Sequence, residues 1–127
     1  MFVDANIFLE IALKDKNYQK SIDFFKENKN DLYTSDFIVY SCLLTINNKL
    51  NSFKVMKDFL IFINSIKIGI IRPSLKAIYD TVDLMNKEKL DFDDALVLSC
   101  MIENVIKDLV SYDKHFDKIK GINIIRP

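Results

Sequence analysis

Three aspartates, Asp4 in MFVDANIFLE, Asp94 in LDFDDALVLS and Asp113 in DLVSYDKHF, each lie against an apolar run yet stand far apart in the chain. Met1-Phe2-Val3 before Asp4 and Leu109-Val110 before Asp113 are short β-prone runs, so each acid falls at the carboxyl end of a strand. Open parallel sheets bind ligands there. Like charges a few Å apart raise one another's pKa, so grouping three carboxylates in one crevice is unfavourable unless something positive sits among them. Hard divalent cations such as Mg²⁺ or Mn²⁺ favour all-oxygen surroundings of this kind. The chemistry on offer is that of a metal site.

Elements that position these acids can be read from hydrophobic periodicity. After the first strand, Asn6 to Leu13 and Asn17 to Asn28 read as helices, the second with Tyr18, Ile22 and Phe25 on one face. A strand around Leu32-Tyr33-Thr34 runs into Ser35, a good N-cap for a helix from Asp36 to Asn48. Ser52 caps the next helix, with Phe53, Met56, Leu60 and Ile63 at helical spacing, before a strand from Lys67 to Ile71 that stops at Arg72-Pro73. Ser74 to Lys87 reads as an amphipathic helix through Leu75, Ile78, Val82 and Met85, and Asp91 caps another beginning at Phe92. Leu109-Val110-Ser111 and Asn123-Ile124-Ile125 are the last strands, with a helix expected between them. Such alternation predicts an α/β fold: a parallel sheet of about five short strands covered by helices on both faces. The doubled helices are longer crossovers than a βαβ unit needs, and one pair is expected to stand outside the main sandwich as an arm.

Composition bounds the rest. The chain has 127 residues, half of them hydrophobic, with two glycines and two prolines, which gives one globular domain over 1–127 and excludes disorder. Its 18 basic and 18 acidic side chains cancel, so any contact with nucleic acid must be local rather than driven by net charge. Cys42 and Cys100 lie in apolar helical patterns and read as core thiols. Asp4 and Glu10 interrupt the first apolar stretch, which argues against a signal peptide, and no run reaches membrane-spanning length. A cytoplasmic protein without a membrane anchor is expected.

The opening VDANIFLE, the helix start DFDDALVLSC and the closing SYDKHFDKIKGINIIRP together resemble the PIN domain, in the compact single-domain form of VapC-like toxin ribonucleases. The resemblance spans the chain from Val3 to Arg126-Pro127. It implies that Asp4, Asp94 and Asp113 are metal-binding and catalytic acids, that Asn6 orients the site around Asp4, and that Ser111 replaces a threonine or serine hydrogen-bonding within it. The implied activity is metal-dependent cleavage of RNA. Phosphodiester hydrolysis suits these residues independently. It needs a water made nucleophilic near neutral pH and charge stabilisation on phosphorus oxygens, and carboxylate-held Mg²⁺ or Mn²⁺ supplies both without a histidine base.

One position departs from the family. Aligning Thr34-Ser35-Asp36-Phe37 with the usual helix start puts Ser41 where a fourth acid, usually glutamate, is found. A neutral hydroxyl holds a cation weakly, so the site is expected to bind metal less tightly. Asp36 lies roughly 7 Å away along the helix axis and cannot replace it. Glu10 lies on another helix; among the near candidates Asp91, Asp93 and Asp117, Asp91 is the first choice for compensation, because three residues before Asp94 lies on the same side of a helix start. Taken singly these residues have plainer readings: Asp91 an N-cap, Asp93 a solvated acid, Asp94 a first-turn acid favoured by the helix dipole, Ser111 a strand-end hydroxyl. His115 reads as a surface histidine rather than a base, and Lys114, Lys118 and Lys120 as a solvated face able to meet an RNA backbone.

Two functions follow from the resemblance. The first is an endoribonuclease toxin, held in check by a small antitoxin whose tail covers the acidic site, and forming a homodimer. The helix Phe37 to Ile46, with Phe59 and Phe62, offers more apolar surface than a small core needs, as a partner interface would. The second is a catalytically weakened PIN-like module binding RNA or protein, which Ser41 raises, or a housekeeping RNA-processing nuclease. Receiver domains and haloacid-dehalogenase-type phosphatases fit worse. The former need paired acids after the first strand, and the latter Asp-x-Asp where this chain has Asp4-Ala5-Asn6.

Overall fold

The computed structural model describes residues 1–127. Along the chain run β1 (Phe2–Val3), α1 (Ala5–Ala12), α2 (Tyr18–Glu27), β2 (Tyr33–Ser35), α3 (Asp36–Leu50), α4 (Phe53–Ser65), β3 (Gly69–Ile71), α5 (Leu75–Glu88), α6 (Phe92–Glu103), β4 (Asp108–Val110) and β5 (Asn123–Ile125). All strand pairings are parallel, in the order β3-β2-β1-β4-β5. From β1 the chain steps outward to β2 and β3, then returns to lay β4 on the other side of β1. The strand order therefore reverses between β1 and β4, where open α/β sheets place their ligand crevice.

Local chemistry starts the helices where the sequence expects. Ser35, Ser52 and Ser74 take extended backbone and accept hydrogen bonds from the amides of Ile38, Val55 and Ala77 at 3.3, 3.3 and 3.1 Å. Each hydroxyl satisfies an amide that the first helical turn leaves without a partner. Asp4 does the same for α1 through Ala5 N at 2.7 Å. Between β4 and β5 the expected helix is instead a five-residue 3₁₀ turn, Lys114–Lys118. It opens on an aspartate and is pinned by the fully buried Phe116.

The core is a continuous cluster that joins the sheet to both helical layers through Phe2, Val3, Phe8, Cys42, Cys100, Met101, Leu109 and Val110, among others. Both cysteines are free and buried, and burial pushes the Cys42 thiol up to about 12. Phe8 stacks on Phe25 with ring centroids 5.6 Å apart and meets Phe59 edge-on at 6.2 Å, while Phe62 meets Phe25 at 5.3 Å. These aromatic contacts fold α4 back against α1 and α2, so the α3–α4 pair is not an arm. Phe59 belongs to the core, and the exposed share of α3 reduces to Tyr40, Leu44 and Leu50. The outlying element is α5. It packs on α6 through buried Ala77 and Thr81, with Ser99 Oγ donating to Ala77 O at 2.6 Å, and leaves Leu75, Ile78, Tyr79 and Val82 exposed. No helix is long and apolar enough to cross a membrane.

Candidate metal centre

The reversal point of the sheet brings together Asp4, which follows β1, and Ser111 and Asp113, which follow β4; the first turn of α6 adds Asp94. Asp4 is nearly buried, and its oxygens meet three donors: Ala5 N at 2.7 Å, Asn6 Nδ2 at 2.8 Å and Ser111 Oγ at 2.7 Å. Asn6 Nδ2 also donates to Ser111 Oγ at 2.9 Å, and its Oδ1 accepts from Tyr112 N at 3.1 Å. Ser111 Oγ in turn accepts from Asp113 N at 3.0 Å. Asn6 and Ser111 thus tie the β1–α1 corner to the end of β4 and fix the orientation of Asp4. Each donates to the ionised carboxylate, and no side-chain polar atom in the buried interior lacks a partner.

The donors do not offset the surroundings. Burial, foremost, together with the negative charges of Asp94 and Asp113, raises the Asp4 carboxyl to about 6 despite the bonds from Ser111 and Ala5. Asp94 is also raised, by burial first and then by Asp113 and Asp93. Electrostatically this is the signature of acids assembled for a positive partner.

Asp4, Ser41, Asp93 and Asp94 line one crevice of about 40 Å³, closed by Ala5, Phe37, Ile38 and Val97. That space exceeds the ~10–15 Å³ a single water needs, and suits an ion with a water rather than an organic ligand. Hollows of about 480 and 600 Å³ lie elsewhere, beside α5 and α6 and beside α2, but neither gathers the strand-end acids. On the outer side of Asp94, ligand atoms of Asp94, Asp113 and His115 lie within 4.8 Å of one another. Asp94 is shared by both groupings. The donor set, three carboxylates on three elements plus an imidazole, fits a divalent cation such as Mn²⁺ or Mg²⁺.

Ser41 borders the crevice, and no carboxylate stands at its position. The choice of Asp91 to compensate does not agree with the geometry. Asp91 has extended backbone (φ −68°, ψ 166°) and an exposed side chain, and it lies outside the crevice; its carbonyl accepts from Ala95 N at 2.9 Å. Three-residue spacing puts two side chains on one side only when both residues are helical, and the N-cap is not. Asp93 is exposed, as expected of a solvated acid, yet it lines the crevice beside Asp94. His115 is a surface histidine, as expected, but it stands against the acids. Its Nδ1 lies 3.3 Å from Asp94 Oδ2 and 3.3 Å from Asp113 Oδ1. A signal for it was present in Asp113-Lys114-His115: an aspartate whose carboxylate accepts the amide two residues on, here at 2.8 Å, draws that residue back over itself. Arg126 also reaches this edge, donating to Asp113 O at 3.2 Å and pairing with Asp117.

An added carboxylate at the mouth of the crevice has a clear expected effect. Ser41→Glu should tighten Mn²⁺ binding about tenfold or more, a change of ~1.4 kcal/mol, in an equilibrium titration of chelator-treated protein. Unchanged affinity would remove Ser41 from the account.

An open parallel sheet with an acidic crevice at its reversal point places the protein among the α/β folds whose ligand crevice lies at the strand ends. A family profile described as PIN domain matches residues 1–122, and the chain belongs to that family, which includes nucleases. No curated protein sequence matches the chain. Among solved structures it is similar to VapC20 of Mycobacterium tuberculosis, described as a sarcin-ricin loop cleaving toxin, with a TM-score of 0.85 at 14% identity over 99% of this chain and 98% of that one. It is also similar to VapBC2 of Rickettsia felis bound to a promoter DNA fragment (TM-score 0.76, 17% identity, 98% and 96% covered). A toxin-antitoxin complex from Klebsiella pneumoniae gives 0.76 at 15% identity, with 96% and 94% covered. The fold is therefore the PIN fold in the form these toxins share.

Proposed function

We propose that the chain is a metal-dependent endoribonuclease, the toxin of a toxin–antitoxin pair, acting in the cytoplasm. What carries this reading is the meeting of Asp4 and Asp94 at an ion-sized crevice, with Asp113 clustered against Asp94 on its outer side and Asp4 raised to about 6 by burial and by its acidic neighbours. A bound Mg²⁺ or Mn²⁺ would supply a nucleophilic water at neutral pH and stabilise charge on the phosphoryl group. Asp4, Asp94 and Asp113 would hold it. Asn6 and Ser111 keep Asp4 oriented, Ser111 also favouring its charged form, and Asp113 starts the turn that presents Lys114 and His115 at the rim. An RNA backbone can be met there by lysine side chains although net charge is zero.

An antitoxin partner and a homodimer belong to the same reading. The structural relatives described as toxin–antitoxin complexes support the first. Tyr40 and Leu44 on α3, 60% and 64% exposed, and the ridge Leu75, Ile78, Tyr79 and Val82 on α5 give apolar surface for such contacts. The alternative, a PIN-like module that binds without cutting, draws its support from Ser41 alone.

The test is incubation of purified protein with total cellular RNA in Mn²⁺, in Mg²⁺ and in EDTA, alongside induced expression in a bacterial host. Discrete fragments in metal only, and growth arrest, are expected. RNA that stays intact in both metals, while the protein still retains RNA on a filter, would turn the account to the binding module.

A further inference from the structure

His115 is the one histidine of the chain, and cleavage by carboxylate-held metal does not require it. Its imidazole nevertheless sits astride the gap between Asp94 and Asp113, Nδ1 3.3 Å from an oxygen of each. Position is set by the backbone rather than by a free rotamer alone. Asp113 Oδ1 accepts His115 N at 2.8 Å, Asp113 N donates to Ser111 Oγ at 3.0 Å, and Phe116, next along the turn, is fully buried. In an octahedral site with bonds of ~2.1 Å, neighbouring donor atoms are about 3 Å apart. The observed separations are therefore close to those of adjacent positions on one coordination sphere, reached by a few tenths of an ångström of movement.

We propose that His115 supplies a nitrogen ligand where the carboxylate absent at Ser41 leaves the set one donor short, and that the centre consequently selects Mn²⁺ over Mg²⁺. The inference rests on the metal-dependent reading above and adds the identity of the ligand and the preference it creates. Imidazole suits first-row transition cations, whereas Mg²⁺ keeps to oxygen donors and its own waters. An all-carboxylate site would serve both ions. Replacing one oxygen by nitrogen favours Mn²⁺, and the ring's exposure leaves room for it to swing onto a bound ion, its side chain being 65% accessible.

Pulsed EPR on tag-free protein loaded with Mn²⁺ tests this without reference to catalysis. Because the chain holds a single histidine, any imidazole ¹⁴N modulation is assigned to His115. The expected result is such a modulation in the wild type and none in His115→Ala, with Mn²⁺ affinity lowered about tenfold and Mg²⁺ affinity changed less than about twofold. Mn²⁺ bound without ¹⁴N modulation, or an equal Mn²⁺-to-Mg²⁺ affinity ratio in wild type and variant, overturns the proposal while the carboxylate site stands. In that case the ring only bridges two acids by hydrogen bonding. Failure of wild type to bind either ion overturns the metal-dependent reading and this proposal with it. Thermal unfolding of the variant checks that the exposed substitution leaves the fold intact.

Discussion

Asp94→Asn is expected to lower metal-dependent RNA cleavage by at least ~10³-fold, about 4 kcal/mol of transition-state stabilisation, which a bound cation supplies in this type of chemistry. Asp94 is chosen over Asp4 and Asp113 because it faces both the crevice with Asp4 and the outer cluster with Asp113 and His115. Asparagine keeps the shape and removes the charge. The same variant should be more heat-stable than wild type in EDTA, by a few degrees, since the partial burial of a charge, foremost, and the repulsion from Asp113 and Asp93 that raise the Asp94 carboxyl are relieved. Opposite movement of activity and stability is the mark of acids held together for function. Single-turnover cleavage assays and thermal scans read the two effects. A variant that lost both would show Asp94 to be structural.

The second large effect concerns pH. The Asp4 carboxyl is raised from 3.8 to about 6 in the folded chain, with burial the leading cause. A group whose folded pKa exceeds its unfolded value binds more proton in the native state, so it favours folding below pH ~4 and that favour is lost as pH rises through 6. A rise from 3.8 to about 6 corresponds to about 3 kcal/mol. Asp94, raised for the same reasons, acts in the same direction. Metal-free wild type should therefore lose about 3 kcal/mol of stability relative to Asp4→Asn between pH 4 and 7, measured by urea unfolding in chelator. Saturating Mn²⁺ should abolish that decline, because a cation restores the preference for the charged form. A wild-type curve parallel to that of Asp4→Asn would show that Asp4 is not under this strain.

Much of this arrangement was legible in the sequence because its signals are local. The apolar runs Met1-Phe2-Val3 before Asp4 and Leu109-Val110 before Asp113 mark β1 and β4, and Ser35, Ser52 and Ser74 cap helices by a bond that spans three residues. Asn6 and Ser111 are legible only through the resemblance, because the bonds from Asn6 to Ser111 and from Ser111 to Asp4 connect positions 105 and 107 residues apart that no local pattern links. What escaped depended on backbone state or on tertiary packing. Asp91 and Asp94 have helical spacing, but the extended N-cap breaks the rule that would align them, and Asp93 rather than Asp91 lines the crevice beside Asp94. His115 reaches the acids through a 3₁₀ turn where an α-helix was expected. Phe59 was read as interface surface but serves as core, because the ring of Phe8 stands against it.

The most direct test of the central claim is a Mn²⁺ titration in which site occupancy, read by EPR, and the initial rate of RNA cleavage are measured on the same samples. The rate is expected to rise in proportion to occupancy in wild type, to stay flat in Asp94→Asn, and to return to zero on chelation. Cleavage that persists at zero occupancy, or that Asp94→Asn performs at the wild-type rate, would contradict that claim.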